Sequence, residues 1–362
     1  MSGHRVANVA EVPSPSLLVY PDRIAANLQL MLRIVGDPAR LRPHVKTHKM
    51  AEVIRMHLQA GIRKFKCATI AEVEMTAAAG AEDVLLAYQP AGPNIARMRQ
   101  LTARFPHVRF SALCDDATVA MQLAEVFKDA QRPLAIYLDV DCGHGRTGIA
   151  PGPAATALYH QMTGMRGISV AGLHVYDGHV HDSDLAERRQ HWEAIFAPVD
   201  AFRRELGMPA MVTGGSPTFP LHAQRTDREC SPGTTVLWDF GYGDKLADLP
   251  FQHAALLLTR VISRPGHNRL CLDLGYKAVS ADKAPPRARL LELPDAVPVV
   301  HNEEHLVVET PRAGEFAVGD CLYAVPAHIC PTVSLHDEAV VIRDGRAVER
   351  WAVTARRRQL TV

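Results

Sequence analysis

The chain has 362 residues, 47% of them apolar and 22% charged, the balance of an ordinary globular protein of about two domains rather than a disordered or collagen-like one. Its 40 basic and 39 acidic residues leave a formal net charge of +1, which gives no electrostatic case for a nucleic-acid partner. No apolar run reaches the roughly 18–20 residues that span a bilayer. The opening MSGHRVANVAEVPSPS lacks the apolar stretch of a secretory signal, and seven widely spaced cysteines without a CxxC argue against a disulfide scaffold. The expectation is a cytoplasmic protein with no membrane partner.

From about residue 40 to 235, short β-rich runs alternate with helix-like stretches. The runs are 41–46, 64–68, 83–88, 108–114, 134–141, 168–176, 210–214 and 230–236. Between them lie amphipathic segments such as IAEVEMTAAAG and NIARMRQLTARF, with apolar residues three and four apart. The longest, AERRQHWEAIFAPVDAFRREL, carries Pro198, which is expected to kink or split it. Seven or eight β-then-α units in series predict an α/β fold with a parallel sheet, and eight would close a (β/α)8 TIM-like barrel. A doubly wound sheet is the competing architecture; no GxGxxG turn follows the first strand, which favours the barrel.

After residue 250 the pattern turns to strands without long helices: FQHAALLLTRVISRP, HNRLCLDLGY, EHLVVE, CLYAVPAH and EAVVIRDGRAVERWAV. Asp344-Gly345 between two apolar runs reads as a hairpin. The sequence therefore predicts a barrel over residues 16–245 and a mostly antiparallel β domain over 246–362, possibly joined by residues 1–15. PSLLVY is a strand of either part.

Four clusters could carry chemistry. Arg42-Pro-His44-Val-Lys46-Thr-His48-Lys49 ends the first strand, where a barrel opens its active-site mouth. If the strand stays extended, His44, Lys46 and His48 face one side. Lys46 is then a candidate Schiff-base nucleophile, its amine kept neutral by neighbouring cations; the alternative is a basic strand end in solvent. In Pro326-Ala-His328-Ile-Cys330-Pro331, imidazole and thiol two residues apart suit a borderline-soft ion in an open site, against the plainer reading of a buried Cys beside a satisfied His. Tyr176-Asp-Gly-His179-Val-His181 follows the sixth strand. Thr213-Gly214-Gly215-Ser216 and Ser231-Pro-Gly233-Thr234 follow the seventh and eighth, where barrels commonly hold a phosphate. With a lysine on the first strand, these clusters together describe a site for a phosphorylated aldehyde.

RPHVKTHK, YDGH, TGGSPTF, SPG and the HxC followed by PTxxLH resemble the pyridoxal-phosphate enzymes of the D-threonine aldolase and D-serine dehydratase group, over nearly the whole chain. The resemblance implies an alanine-racemase-like fold and a homodimer acting on D-amino acids. It implies that Lys46 carries pyridoxal 5'-phosphate, Arg146 lies near the cofactor hydroxyl and Tyr176 contacts its ring. Thr213, Gly214, Gly215, Gly233 and Thr234 would contact the phosphate. His328 and Cys330 would hold a divalent metal, Zn or Mn. His179, preferred over His181, would take the proton of the substrate β-hydroxyl. PTVSLHD is closer to the aldolases, while HxC and Gly178-His179 are closer to the dehydratases. The expected function is therefore a lyase of D-β-hydroxy-α-amino acids, D-threonine aldolase first. A dehydratase of D-serine, D-threonine or 3-hydroxy-D-aspartate is the alternative. A non-catalytic carrier of the cofactor is the third reading, and it would need neither the β domain nor the HxC pair.

Overall fold

The computed structural model describes residues 3–362. The chain divides into two compact units: a barrel unit of residues 30–46, 51–233 and 357–362, and a sheet unit of residues up to 29, 47–50 and 234–356. The first strand, β1 (Ser16–Val19), belongs to the sheet unit, whereas the sequence reading started the barrel at residue 16.

In the barrel unit, β2 (Lys64–Cys67), β3 (Asp83–Leu86), β4 (Arg109–Cys114), β5 (Leu134–Val140), β6 (Ile168–Val175), β7 (Ala210–Thr213) and β8 (Glu229–Cys230) pair in parallel in chain order. Residues 41–44 close the ring: Leu41 bridges Cys230 and His44 bridges Lys66, both in parallel. The hydrogen bonds Arg42 N to Cys230 O and Lys66 N to Pro43 O, each 2.9 Å, fix this eighth wall element. Its irregularity comes from Pro43, which has no N–H to give a ladder.

Three sequence expectations change here. Val45–Thr47 forms a 3₁₀ turn, so His44, Lys46 and His48 do not alternate along one extended strand. The run 230–236 keeps only Glu229–Cys230 as strand, because Pro232 cannot donate and Thr234–Val236 turns. The helix Leu185–Glu205 passes unbroken through Pro198. An internal proline costs a helix about 3 kcal/mol. Burial of Trp192, Phe196, Val199 and Phe202 along one face offsets it, at roughly 1.5–3 kcal/mol per large apolar side chain. Asp184 starts this helix by accepting the Ala186 and Glu187 N–H groups at 2.8 and 3.0 Å.

The barrel interior is filled rather than hollow. Leu85, Leu113, Tyr137 and Val212 pack against one another. Toward the N-terminal ends of the strands, the buried Arg42 guanidinium is held between Asp83 at 2.5 Å and Glu229 at 2.7 Å, with Lys64 also on Glu229. Removing both carboxylates would leave a buried charge uncompensated, a cost of about 3–5 kcal/mol. These contacts read as stability, and chemistry is left to the opposite, C-terminal ends.

The sheet unit contains β1 and β9 (Ala255–Ser263), β10 (Arg269–Leu272), β11 (Ala288–Leu290), β12 (Val297–His301), β13 (Leu306–Glu309), β14 (Cys321–Pro326), β15 (Glu338–Arg343) and β16 (Arg346–Ala352). The order β12-β13-β10-β9-β1-β15-β16, with β14 on β9 and β11 on β14, is antiparallel except where β1 meets β15. Leu18, Leu256, Leu258, Tyr323, Val325 and Val340 are among the buried residues of its core. Asp344 and Gly345, with φ of 49° and 70°, make the two-residue turn the sequence predicted between β15 and β16. Among the described residues no disulfide forms and no helix is long and apolar enough to cross a membrane.

Candidate active site

Side chains from the C-terminal ends of successive barrel strands enclose a cavity of about 190 Å³. Lys46 and Arg146, both singled out in the sequence, line it with Tyr176. Lys46 arrives on the 3₁₀ turn after the closing wall element, and its backbone N–H lies 3.3 Å from His44 Nδ1. Arg146 comes from the loop after β5. That loop is folded by Asp141, whose carboxylate accepts the Gly143 and Gly145 N–H groups at 3.0 and 3.1 Å. The Arg146 guanidinium sits 4.5 Å from the Tyr176 ring centre.

Two cavity residues escaped the sequence reading. Lys66, third in KFKC of β2, is buried, and its amine lies 5.6 Å from the centre of the Tyr176 ring. Burial, then the charge of Lys46, lowers its pKa to about 7. His174, near the end of β6, shares its Nδ1 with Asp139 Oδ1 at 2.7 Å, while Thr147 donates to the other Asp139 oxygen at 2.9 Å. Burial keeps the His174 pKa below the ordinary histidine value. The neutral imidazole therefore gives its Nδ1 proton to Asp139, and its buried Nε2 has no protein partner. A basic or imidazole side chain near the C-terminal end of a barrel strand was the available signal for both.

The glycine loops are built by the protein itself. Gly214 has φ of 83°, and a Cβ there would lie 2.7 Å from His222 Cδ2. That ring is fully buried against Asp177, at 2.7 Å, and Asp177 also accepts from Thr218 at 2.9 Å. Gly215 packs on Tyr176, where a Cβ would approach Cε2 to 3.2 Å. The Gly233 N–H donates to Ser216 Oγ at 3.3 Å, joining the two predicted phosphate loops. Thr213 gives its hydroxyl to the Glu229 carbonyl at 3.1 Å and so ties β7 to β8. Gly178 is needed for Tyr176: a Cβ would lie 2.3 Å from that ring's Cζ.

His179 does not line the cavity. Its ring stacks on His144 at 5.3 Å, and His144 in turn meets the Tyr176 ring edge-on at 5.6 Å. Burial and the His144 charge keep the His179 pKa below its ordinary value. His191, 5.8 Å away on its other side, pairs with Asp182 at 3.0 Å. His181 is exposed.

In the sheet unit, His328 and Cys330 do not share an extended strand as predicted. His328 caps the short helix Ile329–Val333, which places Cys330 within its first turn. That helix is anchored by Asp239, which accepts the Ile329 N–H at 3.0 Å. His328 Nδ1 lies 2.6 Å from Asp282 Oδ2, and its ring also bonds Cys330. Burial opposes protonation of His328, but the sulfur and Asp282 outweigh it and raise its pKa to about 9. Thr47 and Thr234 hydroxyls lie 3.1 and 3.5 Å from Cys330 Sγ. Thr234, predicted to contact a phosphate, thus approaches the thiol. Among the described residues no cluster of three or more His, Cys, Asp or Glu forms a complete metal cage. The pair fits an open site of two protein donors, with Asp282 orienting the imidazole from behind.

The sequence profile for the alanine racemase N-terminal domain matches residues 19–237, and that for a putative serine dehydratase domain matches residues 254–342. The chain is 31% identical to a D-threonine aldolase of an Arthrobacter species, over 96% of this chain and 94% of that protein. It is 27% identical to the 3-hydroxy-D-aspartate aldolase of Paracoccus denitrificans, over 96% and 93%. The crystal structure of D-threonine aldolase from Filomicrobium marinum superposes with a TM-score of 0.86 at 26% identity, over 96% of this chain and 97% of that one.

Proposed function

The chain belongs to the family defined by the alanine racemase N-terminal domain, and from that premise we propose that it is a pyridoxal-phosphate- and metal-dependent lyase of D-β-hydroxy-α-amino acids, a D-threonine aldolase. The observation that carries this reading is the barrel cavity itself, which gathers Lys46, Lys66 and Arg146 around a buried, unpartnered imidazole nitrogen. A phosphorylated aldehyde fits that donor set: a lysine for the carbonyl, cations for its anionic oxygens, and a neutral imidazole. When bound, the cofactor supplies an electron sink for the bond broken at the substrate Cα.

The chain's own residues do the rest. Lys46 would hold the aldehyde of the cofactor through its side-chain amine. Arg146 is steadied by Tyr176 and faces the anionic groups. His174, held neutral by burial, presents a lone pair rather than a charge. His328 and Cys330 would hold a divalent metal, Zn or Mn, as a Lewis acid for the β-hydroxyl. His179 stacks on His144 rather than lining the cavity and, with its pKa held below the ordinary value, would take the β-hydroxyl proton as the Cα–Cβ bond breaks to release acetaldehyde, a proton added at Cα then completing glycine.

The second reading is a dehydratase, favoured by the HxC pair lying inside the segment matched by the serine dehydratase profile. Product identification separates the two. D-threonine giving glycine and acetaldehyde supports the aldolase; 2-oxobutyrate from D-threonine, or pyruvate from D-serine, overturns it in favour of the dehydratase. The active form is proposed to be a homodimer, and an active monomer of 39.6 kDa in sedimentation would refute that.

A further inference from the structure

Lys66 is an unusual residue to find where it is. A lysine carries its charge on a long flexible stem and is almost never fully buried unless paired. Lys66 is 2% exposed. Among the described residues its amine makes no hydrogen bond and no ion pair, and its one named contact is the Tyr176 ring face at 5.6 Å. Its backbone offers no reason for the side chain, since the N–H already serves the barrel wall through Pro43 O. An apolar residue at this position would satisfy the fold at lower cost.

The charges around it point to what it receives. Lys46 and Arg146 act on it as cations, Asp139 and Asp177 as carboxylates. Both carboxylates are engaged elsewhere: Asp139 by His174 and Thr147, Asp177 by His222 and Thr218. The cavity wall therefore holds three cationic side chains and no carboxylate turned to them. The missing counter-charge has to come from what enters the cavity.

We propose that Lys66 is a further ligand-binding residue of this cavity, whose amine pairs with an anionic oxygen brought in by the bound molecules. This rests on the lyase reading, which supplies two such oxygens, the α-carboxylate of the amino acid and the phenolate of the cofactor. The low pKa agrees with it: the amine is easily neutral before an anion arrives and takes up a proton when one does.

The test uses the full chain saturated with pyridoxal phosphate, in unaltered form and as Lys66→Met and Lys66→Arg, with folding checked by circular dichroism. Two amines are titrated by the change they cause in the cofactor's visible absorbance. D-alanine has a carboxylate but no β-hydroxyl to cleave, and 1-aminopropan-2-ol has no carboxylate. If Lys66 holds the substrate carboxylate, Lys66→Met weakens D-alanine binding 10- to 100-fold, leaves 1-aminopropan-2-ol within twofold, and Lys66→Arg recovers most of the loss. If it holds the cofactor phenolate, Lys66→Met instead weakens pyridoxal phosphate itself by a similar factor and moves the pH at which the visible band changes, with both amines affected alike. Either result supports the pairing. It is overturned if Lys66→Met keeps cofactor affinity, band titration and D-alanine affinity all within twofold. Should Lys66→Met not fold, Lys66→Gln takes its place in the same comparison. An unaltered protein showing no lysine-bound cofactor band at all would overturn the lyase reading and this proposal with it, an outcome distinct from the others.

Discussion

Lys66 in the barrel unit and His328 in the sheet unit feel the same force and respond in opposite directions. Burial disfavours the charged form of each. In the barrel the charge of Lys46 adds to it, Asp177 and Asp139 oppose it too weakly, and the Lys66 pKa falls to about 7. In the sheet unit Asp282 and Cys330 close on the imidazole and raise it to about 9. One region gathers Lys46, Lys66 and Arg146 around a cavity. The other sets a thiol and a carboxylate beside an imidazole. The difference teaches that the two units are prepared for ligands of opposite charge, which is what an anionic cofactor and a divalent metal would be.

The largest effect should come from removing the residue on which the anionic side is centred. Lys46→Ala is expected to abolish turnover and the visible band of the lysine-bound cofactor together, because Lys46 is the proposed covalent anchor. Borohydride reduction followed by peptide mapping should tag Lys46; a tag on Lys66, in the same cavity, would reverse the roles given to these two amines. Next in size is His179→Asn, expected to lower kcat by a factor on the order of 10²–10⁴ with cofactor and metal retained, the usual range for a lost general base. Near-normal turnover would shift attention to His181 or to His144, the ring stacked on His179.

On the cationic-ligand side the expected effect is smaller. Asp282→Asn should weaken divalent-metal affinity about 10- to 100-fold without removing it, since Asp282 touches the imidazole rather than the metal. Equilibrium dialysis against graded chelator measures this directly. Unchanged metal affinity would mean that Asp282 is only a surface partner of His328.

How much of this was legible in the sequence follows from the kind of signal each residue gives. The barrel was readable because eight apolar runs recur between amphipathic stretches, and the Asp344-Gly345 turn because few residues tolerate positive φ in succession. Lys46, His328 and Cys330 stood out as clusters within a few residues. The geometry around them did not, because Pro43 and Pro232 break the ladder and turn extended backbone into 3₁₀ turns, and His328 caps a helix that its spacing does not announce. Lys66 and His174 were missed because neither belongs to a cluster of polar residues that marks a site, and only the closed ring brings them to one cavity. The fit of Gly178 beneath the Tyr176 ring is a contact between residues two apart that no pattern encodes.

A further effect is one of stability, and it isolates Lys66 from everything else in the cavity. In the unfolded chain this amine has the ordinary lysine value of 10.5, and in the folded chain about 7. Between those two pH values the unfolded chain holds one more proton, so the Lys66 contribution to stability rises with pH across that window. It is most unfavourable below about pH 7 and fades as pH climbs through 10. At about 1.4 kcal/mol per pH unit the span is on the order of 5 kcal/mol. Lys66→Met removes this titration while keeping a side chain of similar length. In cofactor-free protein, Lys66→Met should therefore melt several degrees above the unaltered chain at pH 7, and the gap should narrow steadily toward pH 10. All other titrating groups are common to both proteins and drop out of the difference. Adding pyridoxal phosphate should shrink the gap at pH 7 if an anionic oxygen then pairs with the amine. A gap that is absent, or the same at pH 7 and pH 10, would mean that Lys66 keeps its proton in the folded chain, and the contrast with His328 would lose its physical basis.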